Sequence, residues 1–260
     1  MANTYGGVDG QRVVVTAGAS GIGRAIAELL IAAGARVQIC DVDEGFLADF
    51  AAAHPDVHAM RADVAVEADV DRLFDAAAER LGGLDALVNN AGIAGPTAAI
   101  EDIDPADWRR CIDVDLTGSF LCARRAVPML KAAGGGSIVN LSSVAGKYGY
   151  PFRTPYASAK YGVIGLTETL AKELGPSDIR VNAILPGLVE GPRIEAVIRA
   201  RAEETGQTYE EAKAGYLEHV SLGRMVSADD VAAMILFLLS DAGRNVSGQS
   251  IAVDANVETL

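Results

Sequence analysis

A chain of 260 residues, half of them hydrophobic and 22% charged, is long enough to bury a sizeable core within one domain. A formal net charge of -13 argues against a nucleic-acid backbone or an anionic membrane as partner, and the longest apolar run, Val231 to Leu239, is far too short to span a bilayer. Three cysteines (Cys40, Cys111, Cys122) and three histidines (His54, His58, His219) show neither disulfide nor metal-ligand spacing, which points to a reducing cytoplasm and to chemistry without a metal.

From the N-terminus, MANTYGGVDGQ lacks the basic start and apolar stretch of a secretion signal. RVVVT (12–16) reads as a strand and runs directly into TAGASGIGRAIAELL, a glycine-rich turn that opens a helix. Glycines 18, 21 and 23 allow a tight turn and let the backbone approach a pyrophosphate, which the helix N-terminus then meets. The second strand, RVQIC (36–40), ends beside Asp41, about twenty residues after the turn, where an acidic side chain accepts from an adenosine ribose. A carboxylate there repels a 2′-phosphate, so NAD is favoured over NADP. Arg24 and Arg36 are the nearby cations able to oppose that preference, and solvated roles are expected for both.

VHAMR (57–61), LDALVNN (84–90), SIVNLS (137–142), IRVNAIL (179–185) and QSIAV (249–253) complete a set of seven strands. Between them lie helical patterns with i, i+3, i+4 apolar spacing, as in Ile22, Ile26, Leu29, Leu30 and Ala33, and in Val231, Met234, Ile235, Leu238 and Leu239. The alternation predicts an α/β chain: a single-domain Rossmann-type doubly wound fold over 1–260, with a seven-stranded parallel sheet and helices on both faces. The rhythm stretches at about 188–220, rich in charge and helix formers. Leaving the sheet at its carboxyl end, where ligands bind, this insertion is a candidate substrate lid.

The segment TPYASAK (154–160) sets Tyr156 and Lys160 one helical turn apart, on one face of a helix. An ammonium beside a phenol stabilises the phenolate, which equips the pair for general acid–base work. The same spacing also fits a surface tyrosine touching a lysine.

Taken together, TAGASGIG, ADV with Asp63 and Val64, NNAG (89–92), NLSS with Ser143, YASAK and the Pro186-Gly187 pair resemble, in order and spacing, the motifs of the classical short-chain dehydrogenase/reductase family over nearly the whole chain. Ser143 stands thirteen residues before Tyr156, the family's spacing. The resemblance implies hydride transfer between NAD and a small-molecule alcohol or carbonyl substrate. Tyr156 would exchange a proton at the substrate oxygen, Lys160 would support Tyr156 and bind the nicotinamide ribose, and Ser143 would hydrogen-bond the substrate. It implies a cofactor set of Gly18, Ser20, Gly21, Ile22, Gly23, Asp41, Asp63, Val64, Asn89, Ala91, Gly92, Pro186, Gly187 and Val189, with Tyr156 and Lys160 shared. It also implies a homotetramer built on helices near 105–131 and 156–175, with Ile112, Phe120, Leu121, Val163, Leu166 and Leu170 on their apolar faces.

Three positions depart from the family pattern. Ala17 stands where the first glycine of the turn is usual, and Ala255 where a glycine is usual near the C-terminus. Asp115 stands where the family has an asparagine that helps hold a proton-relaying water; as a carboxylate it cannot donate, and it sets a negative charge near Lys160.

Arg153 and Arg193 are cations able to meet a carboxylate, sulfonate or phosphate on a substrate, although solvation or salt bridging also explains them. Tyr148, Tyr150 and Phe152 either line a pocket or pack beneath it. The expected substrate is a small polar hydroxy or keto compound: a sugar, polyol or hydroxy acid. The alternative is a non-catalytic NAD-binding sensor or scaffold subunit. An epimerase or dehydratase of the longer relatives would need a substrate domain for which the C-terminal region leaves no room.

Overall fold

The computed structural model describes residues 6–259; positions 1–5, read above for a leader, and Leu260 lie outside the described residues. Strands β1 (Arg12–Thr16), β2 (Arg36–Asp41), β3 (His58–Arg61), β4 (Ala86–Asn89), β5 (Gly136–Leu141), β6 (Ile179–Pro186) and β7 (Ser250–Val253) form one parallel sheet in the order β3-β2-β1-β4-β5-β6-β7. The helices are α1 (Gly21–Ala32), α2 (Glu44–Ala53), α3 (Glu67–Leu81), α4 (Pro105–Ile112), α5 (Gly118–Ala133), α6 (Thr154–Leu174), α7 (Pro192–Thr205), α8 (Tyr209–Glu218) and α9 (Ala228–Leu239). This is the doubly wound, seven-stranded architecture that the sequence predicts.

Alternation along β1 shows why both faces need covering. Val13 and Val15 join one buried cluster with α1, α2 and α9, while Val14 joins the other with α3, α5 and the end of α6. The chain runs outward through β2 and β3, then returns to place β4 beside β1, so strand order reverses there and a crevice opens at the strands' carboxyl ends. Thr16 fixes that crevice. Its hydroxyl accepts from the backbone N–H groups of Asn90 and Ala91, each at 3.0 Å, tying the exit of β1 to that of β4.

Between α4 and α5 the helix is widened by a π turn, Asp113–Thr117, where the sequence predicts one long helix. Gly118 follows because the backbone presses on the segment after β3: a Cβ there would meet Val64 Cγ2 at 2.6 Å.

The segment after β6 forms α7 and α8, with a small core of its own in which Ile198, Ala202 and Ala212 pack against Tyr209 and Tyr216. Isolated bridges Val189–Val226 and Val220–Val257 stitch its two ends down. Near the second bridge Ala255 holds a φ of 56°, the left-handed conformation that explains why glycine is usual there. Of the apolar residues predicted on the oligomer helices, Leu121 and Val163 are buried within the chain itself, whereas Phe120 stays exposed, as does Tyr161 on α6. Among the described residues no helix is long and apolar enough to cross a membrane, and no cluster of three or more acidic, histidine or cysteine residues is arranged to hold a metal ion.

Candidate active site

A cavity of about 460 Å³ opens at the carboxyl ends of β1, β4, β5 and β6, under the start of α7. A second cleft, of about 490 Å³, lies at the amino ends of the strands among Gln11, Asp85, Gly136 and Arg180; it contains no predicted site residue.

One end of the first cavity is the glycine turn. Ser20 makes no side-chain cap on α1, and no acidic residue stands in the helix's first turn. By contrast α2, α8 and α9 are capped by Asp43, Thr208 and Ser227 and have acidic first turns. Only α1 of these four thus leaves its first N–H groups and its positive end for an anionic ligand. The turn is also too tight for side chains. A Cβ at Gly23 would meet Ala17 O at 2.0 Å and one at Gly18 would meet Ile39 Cγ2 at 2.7 Å, whereas Gly21 (φ 52°) faces open space. Ala17 accepts a φ of 48°, so the turn keeps its left-handed kink although a glycine is missing there. These residues fit a dinucleotide pyrophosphate.

Asp41, at the end of β2, is buried and ties this turn to the next loop: Oδ1 accepts from Val42 N (2.8 Å) and Asp43 N (3.2 Å), Oδ2 from Ala19 N (3.3 Å). Arg24 pairs with Glu28, and Arg36 donates to the carbonyls of Arg80 and Leu81 from the start of β2, the opposite end of the strand from Asp41. Sheet register adds a cation that the sequence reading missed. Arg61 stands beside Asp41 across the β2–β3 ladder and turns its side chain to Glu44, 3.5 Å away.

At the other end of the cavity stand Ser143, Tyr156 and Lys160. Ser143 follows β5 and its hydroxyl accepts from Ala145 N at 3.1 Å. Pro155 in the first turn of α6 sets Tyr156 near the helix start, and Lys160 follows one turn later. Lys160 is buried: Nζ donates to Leu141 O at 3.0 Å, lies 3.4 Å from Asp115 Oδ2, and stands 5.6 Å from the centroid of the Tyr156 ring. Asp115 comes from the π turn, and its Oδ1 accepts from Ile93 N at 2.7 Å. The Tyr156 hydroxyl has no hydrogen-bond partner among the described residues, which leaves it open to a ligand.

Ser20, Gly21, Ile22, Gly23 and Gly92 also line this cavity, as do Pro186, Gly187 and Val189 after β6. Gly18, Asp41, Asp63, Val64, Asn89 and Ala91 do not. Gly18 packs on β2, Val64 on Gly118, and Asp63 holds Arg110 at 2.9 Å. Asn89 bonds inward to Ser119 O and Asn140. Its neighbour Asn90, not singled out from the sequence, lines the cavity instead, and its amide donates to the carbonyls of Thr16 and Ala17.

Arg153 departs from the solvated or salt-bridged role open to it in the sequence. It is 3% exposed, forms no ion pair among the described residues, and lines the cavity with Cζ 5.1 Å from the Tyr156 ring centroid. Arg193 is exposed and reaches the same ring at 5.9 Å, with Nη1 donating to Gly92 O at 3.0 Å. Tyr150 lines the cavity too; its hydroxyl donates to that of Tyr216 on α8 at 3.0 Å, and burial pushes its own ionisation well above the ordinary tyrosine range. Tyr148 packs with Leu188 and Val220, and Phe152 meets Arg201.

A family model described as Enoyl-(Acyl carrier protein) reductase matches residues 16–256. A cis-4-hydroxycyclohexanecarboxylate dehydrogenase of Sinomonas cyclohexanicum is 42% identical over 245 residues, covering 93% of this chain and 94% of the relative. The crystal structure of a levodione reductase superposes with a TM-score of 0.89 at 34% identity, covering 94% of this chain and 96% of that one. An actinorhodin polyketide ketoreductase solved with NADPH gives 0.90 at 31% identity, covering 96% and 98%.

Proposed function

The chain belongs to the classical short-chain dehydrogenase/reductase family, and we propose that it interconverts a secondary alcohol and a ketone with NAD(H), using Tyr156 as general acid and base. The observation that carries this reading is the meeting of Ser143, Tyr156 and Lys160 in the cavity whose far end is the uncapped glycine turn.

A bound nicotinamide dinucleotide supplies the hydride acceptor or donor. The chain's own residues position the substrate and manage one proton. Ser143 holds the substrate oxygen. Tyr156 withdraws the hydroxyl proton in oxidation and returns it in reduction. Lys160, anchored on Leu141 O, sets its charge beside the phenol. The start of α7, with Pro192, Arg193 and Ile194, lines the cavity and supports reading this segment as its lid.

NAD is proposed over NADP because Asp41 brings a carboxylate to the adenosine end. The NADPH-bound ketoreductase shows that a similar fold accepts the phosphorylated cofactor in another protein, so the choice falls to side chains such as Asp41 and Arg61. For the substrate, a small polar alcohol is proposed, and within that class a hydroxy acid. The name of the Sinomonas relative, a hydroxycyclohexanecarboxylate dehydrogenase, supports it. We place the protein in the cytoplasm, where three buried free cysteines suit a reducing milieu, and as a homotetramer, for which exposed Phe120 and Tyr161 on α5 and α6 supply apolar surface.

The test is absorbance of the reduced nicotinamide while the purified protein meets NAD or NADP with a panel of polyols, sugars, hydroxy acids and secondary alcohols. Turnover should fall by roughly 10²- to 10⁴-fold in Tyr156→Phe. Dinucleotide binding without any turnover would favour the sensor reading instead.

A further inference from the structure

The chain holds 35 acidic residues against 22 basic ones, so a partner is within easy reach of most arginines. Arg12, Arg24 and Arg125 each hold a carboxylate, and half-buried Arg180 gives Nη1 to the carbonyls of Gly243 and Val246. Arg153 is different. Nη2 donates to Ala94 O at 2.6 Å, while Nε and Nη1 are buried with no hydrogen-bond partner among the described residues. A guanidinium keeps its charge and its five donors wherever it is placed, and idle buried donors are destabilising until an acceptor arrives.

Its surroundings identify the acceptor. Arg153 stands in the wall of the reaction cavity between the rings of Tyr150 and Tyr156, with Cζ 5.2 Å and 5.1 Å from their centroids. Arg193, at the start of α7, brings a second guanidinium to the same cavity with one hydrogen bond among the described residues, to Gly92 O. Two permanent cations therefore flank the phenol, and neither forms an ion pair with a protein carboxylate among the described residues. A planar carboxylate matches a guanidinium fork with two parallel hydrogen bonds.

We propose that Arg153, with Arg193, forms a subsite for a carboxylate on the substrate, so that the alcohol handled here is a hydroxy acid. The inference rests on the dehydrogenase reading and names its substrate class. The competing role, a cation that merely favours the Tyr156 phenolate, would act on every substrate alike.

The test compares 4-hydroxycyclohexanecarboxylate with its methyl ester in steady-state kinetics of wild type, Arg153→Met and Arg193→Met. In parallel, cyclohexanecarboxylate and its methyl ester are titrated calorimetrically into protein saturated with reduced dinucleotide. Wild type should prefer acid over ester in kcat/KM by roughly ten- to hundredfold. That ratio should collapse towards one in Arg153→Met, mainly through KM, and shrink in Arg193→Met, with calorimetric affinity for the acid following. An Arg153→Met effect equal on acid and ester, or a wild type that binds both alike, overturns the subsite. Acid binding that depends on Arg153 without any turnover would leave the subsite standing and sink the dehydrogenase reading; turnover of both compounds without preference would do the reverse. If Arg153→Met does not fold, Arg193→Met at its exposed position decides: an unchanged preference there overturns the proposal.

Discussion

Lys160 and Asp115 form a buried pair in which the lysine Nζ lies 3.4 Å from Oδ2, with 3% of the lysine and none of the aspartate exposed. The contact is electrostatic, since Oδ2 accepts no hydrogen bond, and Oδ1 is committed to Ile93 N. The aspartate is thus the counter-charge of a buried lysine that stands beside Tyr156. Asp115→Asn removes the charge while keeping an oxygen for Ile93. We expect it to retain activity within about tenfold of wild type, because Lys160 keeps its bond to Leu141 O and Ile93 N keeps an oxygen to donate to. A loss of activity beyond about a hundredfold would make the Asp115 charge itself part of the machinery.

Cofactor choice is tested at Asp41. Asparagine there keeps an acceptor for Val42 N and Asp43 N but removes the charge that repels a 2′-phosphate. In Asp41→Asn the ratio of kcat/KM for NAD to that for NADP should fall by about tenfold or more. An unchanged ratio would shift attention to Arg61.

Asp85 links pH to stability. Its carboxylate accepts from Arg12 N (2.8 Å), Nε (2.8 Å) and Nη2 (2.6 Å), and these bonds hold the carboxyl below its ordinary range despite partial burial. A carboxyl depressed by folding contributes stability above its unfolded value, about 3.9, and loses it as acid titrates the folded group. Asp85→Asn should therefore cost about 1 kcal/mol in urea unfolding at neutral pH, a figure reduced for the pair's partial exposure. The gap between wild type and variant should close as pH falls below about 4. A gap that persists in acid would assign the loss to packing.

The three cysteines should be inert in the folded protein. Burial pushes Cys40 and Cys111 up to about 12 and Cys122 well above the ordinary thiol range, so thiolate is scarce at pH 8. A chromogenic disulfide reagent should find no fast thiol in the native state and all three after denaturation. One fast-reacting thiol in native protein would contradict the burial.

Much of this was readable in the sequence because it rests on short-range patterns. Short β-rich runs alternating with helical patterns pointed to the parallel sheet, the glycine turn to the start of α1, and the spacing of Tyr156 and Lys160 to one face of α6. What stayed hidden depends on contacts between distant segments. The paired asparagines 89 and 90 look alike in sequence, yet β4 ends between them, so one side chain enters the core and the other lines the cavity. Arg61 stands beside Asp41 only through the β2–β3 register. The burial of Arg153 is set by Ala94, fifty-nine positions away in the chain, and by the neighbouring tyrosine rings, and no local pattern separates it from a solvated arginine.

The widened turn at Asp113–Thr117 also fixes what kind of genetic change the site tolerates. One surplus residue advances the helix by about 100°, so α4 and α5 are two segments out of phase, not one straight rod. In this phase Cys111 lies under Gly95, where a Cβ would meet its Sγ at 3.0 Å, and Asp115 faces Lys160. Losing a single codon within 113–117 would regularise the helix and rotate one segment against the other, so this stretch is freer to change its letters than its length.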